Sequence, residues 1–214
     1  PPNAGRTVKV LNDRVPDRAK PRGPDVVVYA PHSTRRPEIS ARGAQFPDDD
    51  LLVVPGREGF TGPWRNRQHI LAVGLSDPVP DFISLSGALA AFDRQDAAVL
   101  VPHPGFLNVS LDRDAVAQHA DAIHAVETYN FKTLPGQNRR AWTLAGDTGL
   151  PGFGSSYAHL AGSVGEVWTA FERQIDSESD LVAALREGLP RRVLRRDTLT
   201  HTARGVAEFA HLGY

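Results

Sequence analysis

Five side chains that can bind a metal or move a proton recur beside short apolar runs of this sequence. His32 follows VVVYAP, Glu58 follows LLVVPGR, His69 opens HILAVG, His103 follows AVLVP, and His159 follows FGSSYA. Three imidazoles and one carboxylate are a competent ligand set for Zn, Mn or Fe. A lone histidine is more often a structural residue with satisfied hydrogen bonds, but recurrence beside successive runs favours a shared site.

The apolar runs predict the elements that would bring these side chains together. Strands buried on both faces are short and rich in valine, leucine and isoleucine, and such runs lie at 25–30, 51–55, 69–75, 97–102 and 123–129. The segments between and after them predict helices over Leu85–Gln95, Arg113–Ala122, Asn138–Gly146, Asp180–Glu187 and Thr200–Leu212. Ser84, Asp112 and Ser179 are the expected N-caps of three of these helices.

The alternation of strands and helices favours an α/β fold with parallel strands and crossover helices. In a (β/α) barrel the carboxyl ends of the strands converge on one mouth, so residues far apart in sequence can meet there. His69 departs from this pattern because it opens its run. Either that strand is shifted, or the residue reaches the mouth from a loop.

Length and composition exclude several classes of protein. The 214 residues suit one α/β domain, and a net charge of -1 offers no global attraction for nucleic acid or lipid. The sequence has no cysteine, which excludes thiolate catalysis and thiolate metal ligands. No apolar run reaches membrane-spanning length, and the first residues lack the core of a signal peptide, so we expect a cytoplasmic protein.

Six segments resemble, in order and spacing, the motifs of the polymerase-and-histidinol-phosphatase (PHP) family of metal-dependent phosphoesterases. They are YAPHST, VPGREGF, HILAVGL, VPHPG, AVETYN and GSSYAHLAGSVG, and the resemblance covers roughly Asp25 to Glu172. The resemblance is greatest to PHP-domain proteins best known from haloarchaea. It implies a single domain over residues 1–214 that folds as a distorted (β/α)7, TIM-like barrel.

The resemblance also implies a metal centre with fewer ligands than the three-metal centre typical of the family. One metal position of the family keeps only Glu58, because Thr7 and Lys9 stand where histidines are expected and Tyr157 replaces an aspartate. A Lys9 ammonium could neutralise Glu58 there. A second position survives as Glu58, His69 and His103, and a third keeps His32 and His159 without a further histidine. We therefore expect one or two ions of Zn, Mn or Fe rather than three.

The chemistry expected of this centre is hydrolysis of a phosphate monoester or a nucleotide. A metal with an open position lowers the pKa of water toward about 7. Arg35, Arg36 and Arg57 are candidates to hold the substrate phosphate, and His32 or His159 to protonate the leaving alkoxide. The competing interpretation is that these arginines are solvated charges on the protein surface. Glu127 and Asn130 lie in AVETYN and are candidates to orient the ligands or to stabilise the fold.

An alternative function is that of a catalytically inactive PHP-fold protein in an RNA–protein assembly, similar to the barrel subunit of archaeal ribonuclease P. Its support is the reduced ligand set and the basic run RRVLRR at 191–196. The same run also suits a charged strand at the edge of a sheet, which is the more economical interpretation. The retained histidines and Glu58 favour the enzyme.

Overall fold

The apolar runs of the chain form strands of one mixed sheet in a computed structural model, which describes residues 6–10, 25–32, 51–106, 109–133, 135–159, 161–196 and 199–211. The strands are β1 (Arg6–Val10), β2 (Val26–Tyr29), β3 (Leu52–Thr61), β4 (Gln68–Val73), β5 (Ala98–Val101), β6 (Ala125–Asn130), β7 (Gly152–Ser155), β8 (Val167–Phe171) and β9 (Arg191–Arg195). All five predicted strands are present. The sheet also contains β1, β7, β8 and β9, which the apolar runs did not predict.

The sheet combines parallel and antiparallel pairs in the order β7-β6-β5-β4-β3-β2-β1-β8-β9. Neighbouring strands are parallel within β1, β2 and β3 and within β5, β6 and β7. β4 is antiparallel to both of its neighbours, and β8 is antiparallel to β1 and β9. The predicted parallel arrangement therefore holds within two blocks of three strands.

The direction of β4 explains the position of His69. Because β4 runs against β3, its first residues lie at the same edge as the carboxyl end of β3, and His69 pairs in register with Phe60. The first residue of an antiparallel strand thus lies where the last residues of the parallel strands lie. His69 reaches the mouth without a shifted strand or a loop.

Five α-helices flank this sheet in the described residues: α1 (Leu85–Asp93), α2 (Arg113–Gln118), α3 (Pro135–Thr148), α4 (Glu178–Arg186) and α5 (Leu199–His211). Ser84 and Asp112 cap α1 and α2 as predicted, because their side chains accept hydrogen bonds from backbone N–H groups of the first turn. The predicted cap Ser179 is wrong: Ser177 caps α4, since its hydroxyl accepts from the Asp180 N–H at 3.1 Å. None of the helices in these ranges has the length and apolar character of a membrane span.

Both faces of the central strands are buried, as their composition predicts. In β4, Leu71 and Val73 contribute to one apolar cluster, which includes Leu181 of α4. Ile70 and Ala72 point the opposite way, into a second cluster that includes residues of α1 and α3. The alternation of side chains along a strand produces this division.

The sheet curls until β7 lies against β8, but the described strands do not form a complete (β/α)7 barrel. Thr169 of β8 bridges the gap, since its hydroxyl accepts from the Gly154 N–H at 2.9 Å and donates to the Gly154 carbonyl at 3.0 Å. Ser156 makes the equivalent pair of bonds with Val167. Side-chain hydroxyls thus join β7 and the residue after it to β8, in place of a backbone ladder.

His124 gives the fold a dependence on pH. Its Nδ1 accepts a hydrogen bond from the Val99 N–H at 2.9 Å, and partial burial, assisted by the nearby Arg186 charge, lowers its pKa below 6.5. The unfolded chain therefore takes up this proton first, so the free energy of unfolding should fall as the pH drops below about 6.5. In His124→Asn the side chain keeps an acceptor for the Val99 N–H, but it has no group that titrates in this pH range. The urea concentration at its unfolding midpoint should fall less than that of the wild type between about pH 7 and pH 5. An equal fall in both proteins would contradict this role of His124.

Candidate metal centre

The candidate site is built around the buried carboxylate of Glu58 in the middle of β3. This side chain has no exposed surface, and one of its oxygens, Oε1, lies 2.9 Å from His69 Nδ1 and 3.1 Å from His103 Nε2. The Tyr157 hydroxyl approaches the same oxygen at 3.4 Å. A buried carboxylate needs such partners, because burial without them carries a large desolvation penalty.

The hydrogen bonds of Ser110 indicate the state of His103. The Ser110 hydroxyl has one hydrogen, and two carbonyl oxygens lie within its reach, that of His103 at 2.6 Å and that of Phe106 at 3.0 Å. It must then accept at its contact with His103 Nδ1, 2.8 Å away, so this nitrogen is assigned the hydrogen. In a neutral ring, Nε2 consequently directs a lone pair at Glu58 Oε1. Two acceptors at this separation require a proton or a cation between them.

His32 completes a donor set of a kind that binds divalent metals. One ligand atom from each of His32, Glu58 and His69 lies within 4.8 Å of the other two. Imidazole nitrogens and a carboxylate oxygen are the ligands that Zn, Mn and Fe accept in proteins. The residues present therefore fit a bound metal, and His103 contributes a third nitrogen beside the same carboxylate oxygen.

His103 is held by a second buried carboxylate, Glu127 of β6. Glu127 Oε2 accepts from the His103 N–H at 2.6 Å and from Asn130 Nδ2 at 2.9 Å, and Oε1 accepts a short hydrogen bond from the Ser155 hydroxyl. This network fixes the backbone that carries the imidazole. Glu127, with its donor Asn130, thus holds the backbone of His103.

Two residues of the site adopt a backbone conformation that side chains disfavour. His103 has a φ of 32° and Tyr157 a φ of 44°, both in the left-handed region. Such residues persist only where the surroundings hold them, and they concentrate at functional sites. The Glu127 network supplies that restraint for His103.

Lys132 is a site residue that the sequence-based interpretation missed. Its side chain is buried, and the ammonium lies 3.0 Å from His159 Nδ1 and 3.6 Å from the centre of the Tyr157 ring. The chain has only two other lysines, Lys9 and Lys20, and Lys132 comes shortly after the strand predicted at 123–129. Both facts were visible in the sequence and could have drawn attention to it.

These side chains line one cavity of about 210 Å³. Its wall includes the imidazoles and the ammonium just described, together with side chains from the loops after β5 and β6: His32, His69, His103, Phe106, Val109, Asn130, Lys132, Thr133, Tyr157 and His159. The cavity brings together all four histidines predicted for the site. Its ionisable wall is rich in groups that can carry positive charge, which suits an anionic ligand.

The arginines proposed to bind phosphate are placed differently. Arg57 neighbours Glu58 on β3 and so points to the opposite face, where its guanidinium pairs with Asp81 at 2.6 Å. Arg35 and Arg36 lie outside the described residues, as do the side chains of Thr7 and Lys9. Lys132 is the described cation that faces the cavity.

The chain was compared with known protein families, curated sequences and solved structures. Residues 135–189 match the family model described as PHP-associated. No curated protein sequence matches the chain.

Three solved structures share the fold over most of the chain. PsfC from Pseudomonas syringae is 18% identical, with a TM-score of 0.71 over 98% of both chains. A two-domain protein from Bacteroides vulgatus, containing a predicted PHP-like metal-dependent phosphoesterase, is 17% identical with a TM-score of 0.67, over 97% of this chain and 71% of that one. A candidate metal-dependent phosphoesterase from Bifidobacterium adolescentis is 14% identical with a TM-score of 0.59, over 86% and 97%. The chain thus shares a mixed α/β fold with these structures.

Proposed function

We propose that this chain is a metal-dependent phosphoesterase of the PHP family that hydrolyses a phosphate monoester or a nucleotide. The observation that carries the proposal is the convergence of His32, His69 and His103 on the buried Glu58 carboxylate beside a cavity. The PHP-associated match and the metal-dependent phosphoesterases among the similar structures support the same reaction.

In this proposal Glu58, His32 and His69 hold the metal and His103 joins them. A divalent ion bound there supplies Lewis acidity and lowers the pKa of water toward about 7. The residues of the chain do the rest: Glu58 provides the negative charge that retains the ion, and the Glu127 network keeps His103 aimed at it. His159, which is partly exposed on the cavity wall, is placed to donate a proton to the leaving alkoxide.

Lys132 disfavours a metal ion at the position that the sequence assigned to His32 and His159, so it supports fewer than three ions. Its ammonium already lies beside His159, at 3.0 Å from Nδ1, in a position where a further metal would meet a fixed positive charge. Repulsion between like charges at such distances is strong in a buried site. The ammonium serves instead to attract the substrate phosphate.

The alternative, an RNA-binding assembly protein, has less support from the arrangement of the basic run. Residues 191–195 of the run form the edge strand β9, and two of its arginines contact aromatic side chains. The Arg191 guanidinium lies over the ring of Phe171, and Arg195 binds the Tyr129 hydroxyl. Weak RNA retention that falls steeply with salt would restore this alternative.

The proposed reaction is tested by measuring phosphate release from a panel of phosphate monoesters, including a nucleoside monophosphate and an aryl phosphate. The protein should be untagged and purified without chelators. We expect release that depends on protein concentration and stops after metal removal. Absence of release from every ester in the presence of added Zn, Mn or Fe would contradict the proposal.

Lys132→Met tests the role of the ammonium. A charge-assisted hydrogen bond to phosphate contributes about 1.5–3 kcal/mol, so KM should rise by roughly 10- to 100-fold. Metal content should be retained, since lysine is not among the proposed ligands. Arg140→Met removes an equal charge from the exposed face of α3 and is the matched control. A KM that changes equally in both variants would show that net charge alone matters.

A further inference from the structure

A second cavity, of about 570 Å³, lies where the two ends of the sheet order, β7 and β9, approach each other beside α3. We call it the seam cavity, and its walls include Thr128, Tyr129, Trp142, Gly152, Arg191 and Arg195. None of its described lining residues also lines the cavity at the candidate metal centre. Small-molecule sites occupy roughly 300–1,000 Å³, so the seam cavity has the size of a separate ligand site.

Arg191 lines the seam cavity, and its guanidinium is buried without a hydrogen-bond partner. The three nitrogens Nε, Nη1 and Nη2 are covered, and in the described part of the chain none of them has an acceptor within reach. Burial lowers the pKa of Arg191 to about 10, so the group is still charged at neutral pH. A buried charge normally has a counter-ion or several hydrogen bonds, because its desolvation is costly. This guanidinium can therefore bind an anion strongly.

The surroundings of Arg191 offset only part of the desolvation cost. Its Cζ lies 5.3 Å from the centre of the Phe171 ring, and such a cation–π contact is weaker than the hydration that burial removes. The long stem of arginine rotates about several bonds. Because Arg191 already lines the seam cavity, such a rotation would bring its guanidinium from beneath the wall into the cavity.

The rest of the wall favours a ligand with one negative charge and an apolar body. The other arginine of the seam cavity, Arg195, already donates to the Tyr129 hydroxyl at 3.0 Å and lies over the Tyr129 ring. None of the described lining residues is acidic. Trp142 and Leu194 lie on the same wall with 71% and 41% of their surface exposed. Large apolar side chains exposed beside a cavity favour a ligand with apolar surface.

We propose that the seam cavity binds a small aromatic carboxylate, whose carboxylate pairs with the Arg191 guanidinium and whose ring lies against Trp142. A guanidinium and a carboxylate form two parallel hydrogen bonds, and their single charges match. A phosphate ester dianion would carry twice the charge of this one cation. The proposal is independent of the proposed phosphoesterase activity, because the two cavities are separate.

Thermal unfolding of the full chain with added benzoate tests this site, and acetate is the matched probe without a ring. At about ten times its dissociation constant, a ligand should raise the Tm of a chain of this size by about 3–6 °C. We expect this shift with benzoate at concentrations where acetate has no effect. Arg191→Met should abolish the shift, and Trp142→Ala should reduce it.

Arg192→Met is the control for charge, because Arg192 is exposed and does not line the seam cavity. This variant should keep the full benzoate shift. Arg191→Met should differ from it without any ligand as well. Methionine packs against Phe171 without a charge to desolvate, so the Tm of Arg191→Met should lie at least about 2 °C above that of the wild type. A guanidinium that only stabilises the fold predicts a lower Tm.

Three results would overturn the proposal. The first is a wild type whose Tm benzoate does not raise, and the second is an equal shift in Arg191→Met. The third is an equal effect of acetate and benzoate, which would exclude contact between the ring and Trp142. Failure of the chain to hydrolyse phosphate esters would leave the seam cavity unaffected, since none of these measurements involves turnover.

Discussion

Replacing Glu58 by glutamine should remove metal binding and lower phosphate-ester hydrolysis by at least about 100-fold. The carboxylate is fully buried, and two imidazole nitrogens lie within 3.1 Å of its Oε1. Glutamine preserves the shape of the side chain and one acceptor oxygen but loses the negative charge that retains a divalent ion. The measurements are metal content by inductively coupled plasma mass spectrometry and the rate of phosphate release.

Glu187→Gln is the control for the Glu58 variant. Glu187 is exposed at the end of α4, so its substitution changes the net charge equally without touching the site. Circular dichroism should show that both variants are folded. If Glu58→Gln retained a full complement of metal, the carboxylate would not be the centre of the site.

Replacing Glu127 by alanine should lower the free energy of unfolding by about 3–5 kcal/mol. The buried carboxylate accepts hydrogen bonds from the His103 N–H, from Asn130 Nδ2 and from the Ser155 hydroxyl. Alanine leaves these three donors buried without their acceptor and also forms a cavity. Hydrolysis should fall as well, because the strained His103 backbone loses the partner that holds it.

Ser155→Ala separates the contributions within this network. It removes the donor to Glu127 Oε1 and leaves the two donors to Oε2, so we expect a smaller loss of about 1–3 kcal/mol. Urea unfolding curves of the two variants and the wild type give the comparison. If Glu127→Ala were no less stable than Ser155→Ala, the carboxylate would not organise the network as described.

The central strands could be predicted from the sequence because burial on both faces leaves a continuous apolar run. The strands that escaped prediction lack this signature. β7 has the sequence GFGS, in which glycine permits close approach to β8 and β9. β9 has the sequence RRVLR at the edge of the sheet, with only two apolar residues between arginines. The number of apolar residues in each of these strands depends on which strands lie beside it. A single sequence does not reveal those neighbours.

The sequence predicted the histidines and Glu58 of the site, but the geometry of these residues depends on strand direction. His69 seemed out of register only because β4 was expected to be parallel; the antiparallel pairing with β3 brings it to the mouth. Whether two neighbouring strands are parallel is decided by long-range pairing, which periodicity does not encode.

Lys132 and the stacking of Phe82 on Phe60 were missed for a different reason. A lysine or a phenylalanine in a loop has no periodic signal, and only the folded chain shows that the Lys132 ammonium lies beside His159 or that Phe82 stacks on Phe60. The resemblance to haloarchaeal proteins stays a prediction, as does the arrangement of the residues outside the described ranges.

The most direct test of the central claim is a metal titration of untagged protein that has first been treated with a chelator. Zn, Mn or Fe is added in steps, and bound metal and phosphate release are measured on the same samples. We predict that hydrolysis returns in proportion to bound metal and saturates at one or two ions per chain. A chain that binds no ion, or that hydrolyses phosphate esters equally well with and without one, would contradict the assignment of a metal-dependent phosphoesterase.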